Sequence, residues 1–192
     1  MRKAAFLDRD GVINIDRAYV HSRDEFDWVP GVFEAARKLV DAGFILVVVT
    51  NQSGIGRGYY TEEEYETLTE WIRGEFERAG APLAGVYFCP HHPEKALERY
   101  RCDCDCRKPR PGMLLRAARE LNIDLSQSVM FGDKPGDATA GLGAGCPERV
   151  FLGTDGKAVP TADAPDATRR FASLLDAVSA PWFNQFSEGI QA

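Results

Sequence analysis

The chain has 192 residues, 44% of them apolar and 27% charged, with a net charge of −6. That length and balance fit one folded domain with a sizeable core, and the negative charge argues against a sequence-independent grip on nucleic acid, which needs basic surface. Only four apolar residues, Ala4 to Leu7, precede the first carboxylate; this is too few for a secretory segment, and no later run is long enough to span a bilayer, so a cytoplasmic protein without membrane contact is expected.

Apolar runs alternate with helical patterns along the chain. Residues 4–7 predict a first strand. Val32, Phe33, Ala36, Leu39 and Val40 recur at helical spacing, and Gly43 closes that helix. The β-branched run 44–49 predicts a central parallel strand buried on both faces. Thr61 and Glu64 form a capping box ahead of a helix that turns Tyr65, Leu68, Trp71, Ile72 and Phe76 to one side. Residues 85–88 predict a third strand. Pro111 opens a helix carrying Met113, Leu114, Ala117, Ala118 and Leu121 inward. Residues 129–131 and 150–152 predict two more strands. The stretch 153–168, rich in Pro, Ala, Asp and Thr, reads as a loop. Phe171, Leu174, Leu175 and Val178 predict a closing helix, and residues 181–192 read as a tail whose Trp182, Phe183 and Phe186 are able to dock. This βαβ succession implies an α/β fold, a doubly wound parallel sheet with helices on both faces, in a single domain spanning 1–180.

The strand ends carry the chemistry. In Phe6-Leu7-Asp8-Arg9-Asp10-Gly11-Val12 two carboxylates follow the first strand at an interval of one residue. Carboxylates that close resist ionising together unless a cation neutralises them or one keeps its proton. The second strand ends in Thr50-Asn51-Gln52-Ser53-Gly54, the third leads through an insertion to Arg107-Lys108-Pro109, and the fourth ends in Gly132-Asp133-Lys134-Pro135-Gly136-Asp137. Ligand sites in open α/β sheets lie at the carboxyl ends of the strands. There, several acids, a lysine and a hydroxyl would surround one point, an inventory that suits phosphoryl transfer, where positioning and charge stabilisation do most of the work. Taken singly, Thr50 reads as a turn residue, and Asp133 and Asp137 as helix N-terminal acids favoured by the dipole.

These four segments, in this order, resemble the haloacid dehalogenase superfamily of phosphatases over about residues 3–152. The resemblance implies a Rossmann-like fold with Asp8 as nucleophile and Asp10 as general acid and base. It also implies that Thr50 and Lys108 contact the transferring phosphoryl group. Mg²⁺ would sit on the Asp8 side chain, the Asp10 carbonyl and Asp133, with Asp137 as an orienting partner. Only about forty residues separate Asp10 from Thr50, leaving no room for a large cap domain.

Four of the five cysteines lie between positions 89 and 106. Cys89-Pro90-His91 and Cys104-Asp105-Cys106 form two ligand pairs, and three thiolates with one imidazole make a closed, structural Zn²⁺ site. Cys102 is an alternative to Cys104, and His92 to His91; adjacency to Arg107 and Lys108, and the family resemblance, favour Cys104 and Cys106. The zinc loop, 89–106, would fix the segment leading into Arg107. A zinc-stabilised binding module would explain these cysteines but leave the strand ends unexplained.

The stretch Cys89-Pro90-His91-His92-Pro93 with Cys104-Asp105-Cys106-Arg107-Lys108-Pro109 resembles two branches of the superfamily, the heptose 1,7-bisphosphate phosphatases and the histidinol-phosphate phosphatases. The runs at 7–14, 50–58 and 107–113, and the longer zinc loop, favour the first. That resemblance implies a cytoplasmic enzyme that removes the 7-phosphate on the way to ADP- or GDP-heptose for surface polysaccharide; with no cofactor-sized interface in view, a monomer is the default expectation. Substrate contacts are implied from Asp16, Arg17, Ala18 and Tyr19, from Thr50, Asn51, Gln52 and Ser53, and from Arg107, Lys108 and Lys134. Arg107 suits the distal phosphate because its planar fork binds phosphate bidentately. Gly54-Ile55-Gly56-Arg57-Gly58 lacks both P-loop and dinucleotide spacing and reads as a flexible turn with Arg57 near substrate.

Overall fold

Short apolar segments with a two-residue alternation build the sheet. In a computed structural model, which describes residues 1–153 and 164–189, six strands pair in the order β3-β2-β1-β4-β5-β6. They are β1 (Ala4–Leu7), β2 (Ile45–Asn51), β3 (Leu83–Cys89), β4 (Val129–Gly132), β5 (Glu148–Leu152) and β6 (Arg169–Phe171). Every pairing is parallel, so the connections must cross the faces of the sheet, and helices make most of them.

Alternate strand residues feed two cores. Ala5 and Leu7 face one side with Leu46, Val48 and Phe131, while Ala4 and Phe6 face the other with Val47, Val49 and Met130. The first face is covered by α1 (Val32–Asp41), α3 (Glu62–Arg78), α6 (Leu174–Ser179) and α7 (Pro181–Gly189). The second is covered by α4 (Gly112–Leu121) and α5 (Pro135–Ala144). The capping box at α3 forms as the sequence predicts: Glu64 N–H donates to Thr61 Oγ1 at 3.1 Å and Thr61 N–H to Glu64 Oε2 at 2.7 Å.

The winding reverses beside β1, which pairs with β2 on one side and β4 on the other. That reversal opens a crevice at the carboxyl ends of these strands. Asp8 N–H donates to the Phe131 carbonyl at 3.0 Å, carrying the β1–β4 ladder one residue beyond β1 and fixing where Asp8 leaves the sheet. Between Asp10 and Thr50 the chain forms a 3-10 turn at Arg23–Glu25, α1 and most of β2; no cap domain stands there.

Three local readings change. The glycine run after β2 is not a flexible turn: Ser53–Arg57 is a helix, α2, with Gly54, Ile55 and Gly56 buried. Phe171 belongs to β6 and not to the closing helix, because Leu152 and its neighbours accept a sixth strand on that edge. Residues 181–189 form α7, and Trp182 and Phe183 are buried in the first core, with the Phe183 ring 5.9 Å from that of Phe44. Of the predicted loop 153–168, residues 154–163 lie outside the described residues, and Gly153 and 164–168 carry neither helix nor strand.

Candidate active site

The strand ends bring acids and one lysine together. Lys108 Nζ lies 3.0 Å from Asp8 Oδ1 and 2.6 Å from Asp137 Oδ1, and donates to the Val49 carbonyl at 2.7 Å. All three side chains are buried. Asn51 clamps the backbone of Lys108 from both sides: its Nδ2 donates to the Lys108 carbonyl at 3.0 Å and its Oδ1 accepts the Lys108 N–H at 3.1 Å. Burial works against the ammonium, but Asp137 and Asp8 outweigh it and hold Lys108 above the ordinary lysine value.

One ammonium does not balance the carboxylates around it. Asp8, Asp133 and Asp137 bring oxygens within 4.8 Å of one another. Burial, against the pull of Lys108, pushes Asp8 up to about 6, with Asp137 and Asp10 adding to the rise. Burial, and then the charge of Asp8, push Asp133 up to about 7. Asp133 Oδ1 is buried with no hydrogen-bond partner. Both Asp137 oxygens are committed, Oδ1 to Lys108 and Oδ2 to the Lys134 N–H at 3.0 Å. Gly11 makes the approach of Asp133 to the first loop possible: its φ is +86°, and a Cβ there would stand 2.2 Å from Asp133 Oδ2. Buried, under-neutralised carboxylate oxygens with a free lone pair are a donor set for a hard cation such as Mg²⁺.

Asp10 stands at the rim. Arg9 Nη2 donates to both its oxygens at 2.8 and 3.0 Å, Asn14 Nδ2 to Oδ1 at 3.0 Å and Gln52 Nε2 to Oδ2 at 3.0 Å. Gln52 Nε2 also donates to Thr50 Oγ1 at 2.8 Å, leaving the buried Thr50 hydroxyl hydrogen free for another acceptor. Arg9, Asn14 and Tyr60, which holds Gln52 Oε1, escaped sequence reasoning. An arginine between two aspartates gives no sign that it folds back onto one of them and is itself buried.

Asp8, Asp10, Thr50, Asn51, Lys108 and Lys134 share a pocket of about 160 Å³. It adjoins, through Asp10, Asn51 and Lys134, a cleft of about 360 Å³. Of the residues expected to touch substrate, Asp16, Ala18, Tyr19, Gln52, Ser53 and Arg107 line this cleft. Lys134 Nζ donates to Asp16 Oδ2 at 2.9 Å, and Asp16 Oδ1 accepts the Ala18 N–H at 2.9 Å. Ala18 and Tyr19 follow in left-handed conformations at φ 58° and 60°. Arg17 is not brought in: its Nε donates to Asp27 Oδ2 at 2.8 Å on the surface, where it lines a separate hollow with Asp24 and Glu25.

The cysteines converge beside this cleft. Cys89, Cys104 and Cys106 place their sulfurs 3.0–3.5 Å apart, and His91 Nδ1 lies 3.4 Å from Cys106 Sγ. A tetrahedron built on Zn–S bonds of about 2.3 Å has edges of roughly 3.8 Å; the sulfurs stand closer than that, and it is the convergence of three thiols and an imidazole, a soft donor set, that suits zinc. Cys102 is exposed and outside the cluster, and His92 Nδ1 accepts the N–H groups of Glu94 and Lys95 instead. The cluster reaches the cleft directly, since Arg107 Nη1 donates to the His91 carbonyl at 3.2 Å.

A family model described as polynucleotide kinase 3 phosphatase matches residues 3–178. D-glycero-beta-D-manno-heptose-1,7-bisphosphate 7-phosphatase of Haemophilus influenzae is 52% identical over 154 residues, 80% of this chain and 83% of that protein. The enzyme of the same name from Yersinia pestis is 48% identical over 173 residues, covering 90% and 92%. The chain belongs to this family of HAD-like phosphatases. The solved D,D-heptose 1,7-bisphosphate phosphatase of B. bronchiseptica, complexed with magnesium and phosphate, superposes with a TM-score of 0.79 at 32% identity, over 92% of this chain and 96% of that one. A HAD-like phosphatase from Mesorhizobium loti superposes with a TM-score of 0.81 at 31% identity, over 99% and 86%. One member of this family was thus solved with magnesium and phosphate bound, and this chain presents buried carboxylates at its own strand ends.

Two outcomes follow from this geometry. Asp8 and Asp133 both titrate above the ordinary value of 3.8. Their contribution to metal-free stability is full below about pH 4 and is lost as pH rises through about 6 and 7. Cation binding needs them ionised, so the sign reverses for Mg²⁺. At roughly 100 Kd of Mg²⁺ the gain should reach ~2.7 kcal/mol near pH 8 and shrink towards pH 5. Calorimetric melting at both pH values checks this; an equal gain at both contradicts it. Removing zinc should lower Tm and raise KM together, since the loop holds Arg107; unchanged melting and kinetics after metal analysis confirms the loss would refute that link.

Proposed function

We propose that this chain removes the 7-phosphate of D-glycero-D-manno-heptose 1,7-bisphosphate through an aspartyl phosphate on Asp8, leaving the heptose 1-phosphate used for ADP- or GDP-heptose. The observation that carries this reading is the meeting of Asp8, Lys108 and Thr50 in one small pocket whose rim is Asp10 and which adjoins a cleft containing Arg107 and Lys134.

An Asp8 carboxylate oxygen attacks phosphorus, the bond to the 7-oxygen breaks, and Asp10 protonates the leaving alkoxide. Lys108 and the Thr50 hydroxyl hold the equatorial oxygens of the phosphoryl group as charge redistributes. Asp10 then takes a proton from water, whose oxygen attacks phosphorus and releases inorganic phosphate from Asp8. Asp8, Asp133 and the Asp10 carbonyl would hold Mg²⁺, which offsets the repulsion between the attacking carboxylate and the phosphate dianion. Cys89, His91, Cys104 and Cys106 would hold Zn²⁺ in a closed structural site, and the reducing cytoplasm is the compartment in which those thiols remain available.

The cleft chemistry favours a bisphosphate over histidinol phosphate. Arg57, Arg107 and Lys134 line the approach, and a second phosphate complements them, whereas the ammonium of histidinol would meet like charge.

With Mg²⁺ present, wild-type protein should release phosphate from the heptose bisphosphate with a kcat/KM well above that for histidinol phosphate. Asp8→Asn should lose activity by about 10³-fold or more. Equal use of the two substrates, or persistent turnover by D8N, would contradict the reading. Parallel phosphate-release assays decide both points.

A further inference from the structure

The glycine run after β2 builds a feature that the chemistry at Asp8 leaves unused. Gly56 packs so tightly on the zinc loop that a Cβ there would stand 2.3 Å from the Pro90 carbonyl oxygen. The Leu97 N–H donates to the Gly56 carbonyl at 2.7 Å. The short helix α2 is therefore keyed into the same loop that carries Arg107. Arg57, the last residue of that helix, lines the cleft together with Arg107 and Lys134.

The three cations are not equivalent. Lys134 is tied to Asp16, and Arg107 gives an N–H to the His91 carbonyl. The Arg57 guanidinium makes no hydrogen bond or ion pair among the described residues, and its Nε is buried without an acceptor. The guanidinium carbon stands 5.8 Å from the Tyr19 ring, in cation–π range, and His92 lies close enough to feel its charge. Tyr19 in turn packs edge-on to Tyr59, with centroids 4.8 Å apart. A buried guanidinium N–H without an acceptor is costly unless something else supplies the oxygen. A phosphate dianion offers three acceptor oxygens and suits the arginine fork.

We propose that Arg57 is a specificity-determining residue that receives the phosphate distal to the scissile one, working beside Arg107 in the same cleft. This rests on the sugar-bisphosphate reading above. The zinc loop then has a second task, because it sets the position of both guanidinium groups and not of Arg107 alone. A substrate with a single phosphate leaves Arg57 without its acceptor, so the residue discriminates between a bisphosphate and the matching monophosphate.

The test compares heptose 1,7-bisphosphate with heptose 7-phosphate, which lacks the distal group. Arg57→Gln should raise KM for the bisphosphate by about 10- to 100-fold, with kcat held within about threefold, and leave the monophosphate within about threefold on both parameters. Arg57→Lys keeps the charge but not the fork and should fall between wild type and R57Q. Equal effects on both sugars, no effect on either, or an R57K value no better than R57Q would overturn the assignment. Wild-type protein that leaves the heptose bisphosphate intact would refute the substrate reading alone. Arg57 is then judged by calorimetric binding of fructose 1,6-bisphosphate: a Kd weakened by about tenfold or more in R57Q supports the anion anchor, and absent binding or an unchanged Kd overturns it.

Discussion

The buried ammonium of Lys108, shared between Asp8 and Asp137, is the contact on which the site depends. Taking three charges out of water is costly, and a buried ion pair of this kind adds little to stability compared with apolar packing. Its value is positional. The Val49 carbonyl and the Asn51 clamp fix the lysine, and the lysine fixes the carboxylate at the end of β1. Lys134 Nζ comes no nearer to Asp133 than 4.0 Å and is itself tied to Asp16, and Asp133 Oδ1 accepts no hydrogen bond, so the cluster stays short of positive charge. That deficit is what a divalent cation and a phosphoryl group can share. The sheet beneath, with β1 buried along its whole length, is rigid enough to hold an arrangement that is unfavourable on its own.

A second constraint acts from the side. The segment between β3 and α4 has only a 3-10 turn at Glu98–Tyr100 as regular structure and offers little apolar burial. Four soft donors meet in it, and a zinc ion held by them would close it with a tie of the kind worth roughly 10–16 kcal/mol in structural zinc peptides. The tie reaches the cleft through Arg107 on the His91 carbonyl and through Gly56 against Pro90. Loop geometry, in place of a cap, therefore sets what can approach Asp8.

Much of this was legible in the sequence, for a physical reason: parallel strands buried on both faces must be continuous apolar runs, and chemistry must follow where they end. Asp8, Thr50 and Asp133 are found at such ends, Lys108 reaches them from the loop before α4, and the paired cysteine spacing picked out a cluster that the fold brings together. The glycine run was misleading because glycine signals both a flexible turn and close packing; Gly54 and Gly56 serve the second purpose inside α2. Phe171 fitted a helical spacing with Leu174, yet the open edge of β5 draws it into a strand. Arg9 and Tyr60 gave no signal at all, since their roles come from side chains folding back across the loop. Arg17 shows the reverse: its neighbours line the cleft, and its own guanidinium is captured by Asp27 on the surface.

The central claim is that Asp8 carries the phosphoryl group during turnover. Borohydride reduction of protein quenched during steady-state hydrolysis, followed by peptide mass spectrometry, tests it directly, because an aspartyl phosphate is reduced to homoserine and an ordinary aspartate is not. The account predicts homoserine at position 8, and at no other aspartate, only when substrate is present. Homoserine at Asp10, Asp133 or Asp137, or an unmodified position 8 in protein caught during full turnover with the trapping chemistry verified, would contradict it.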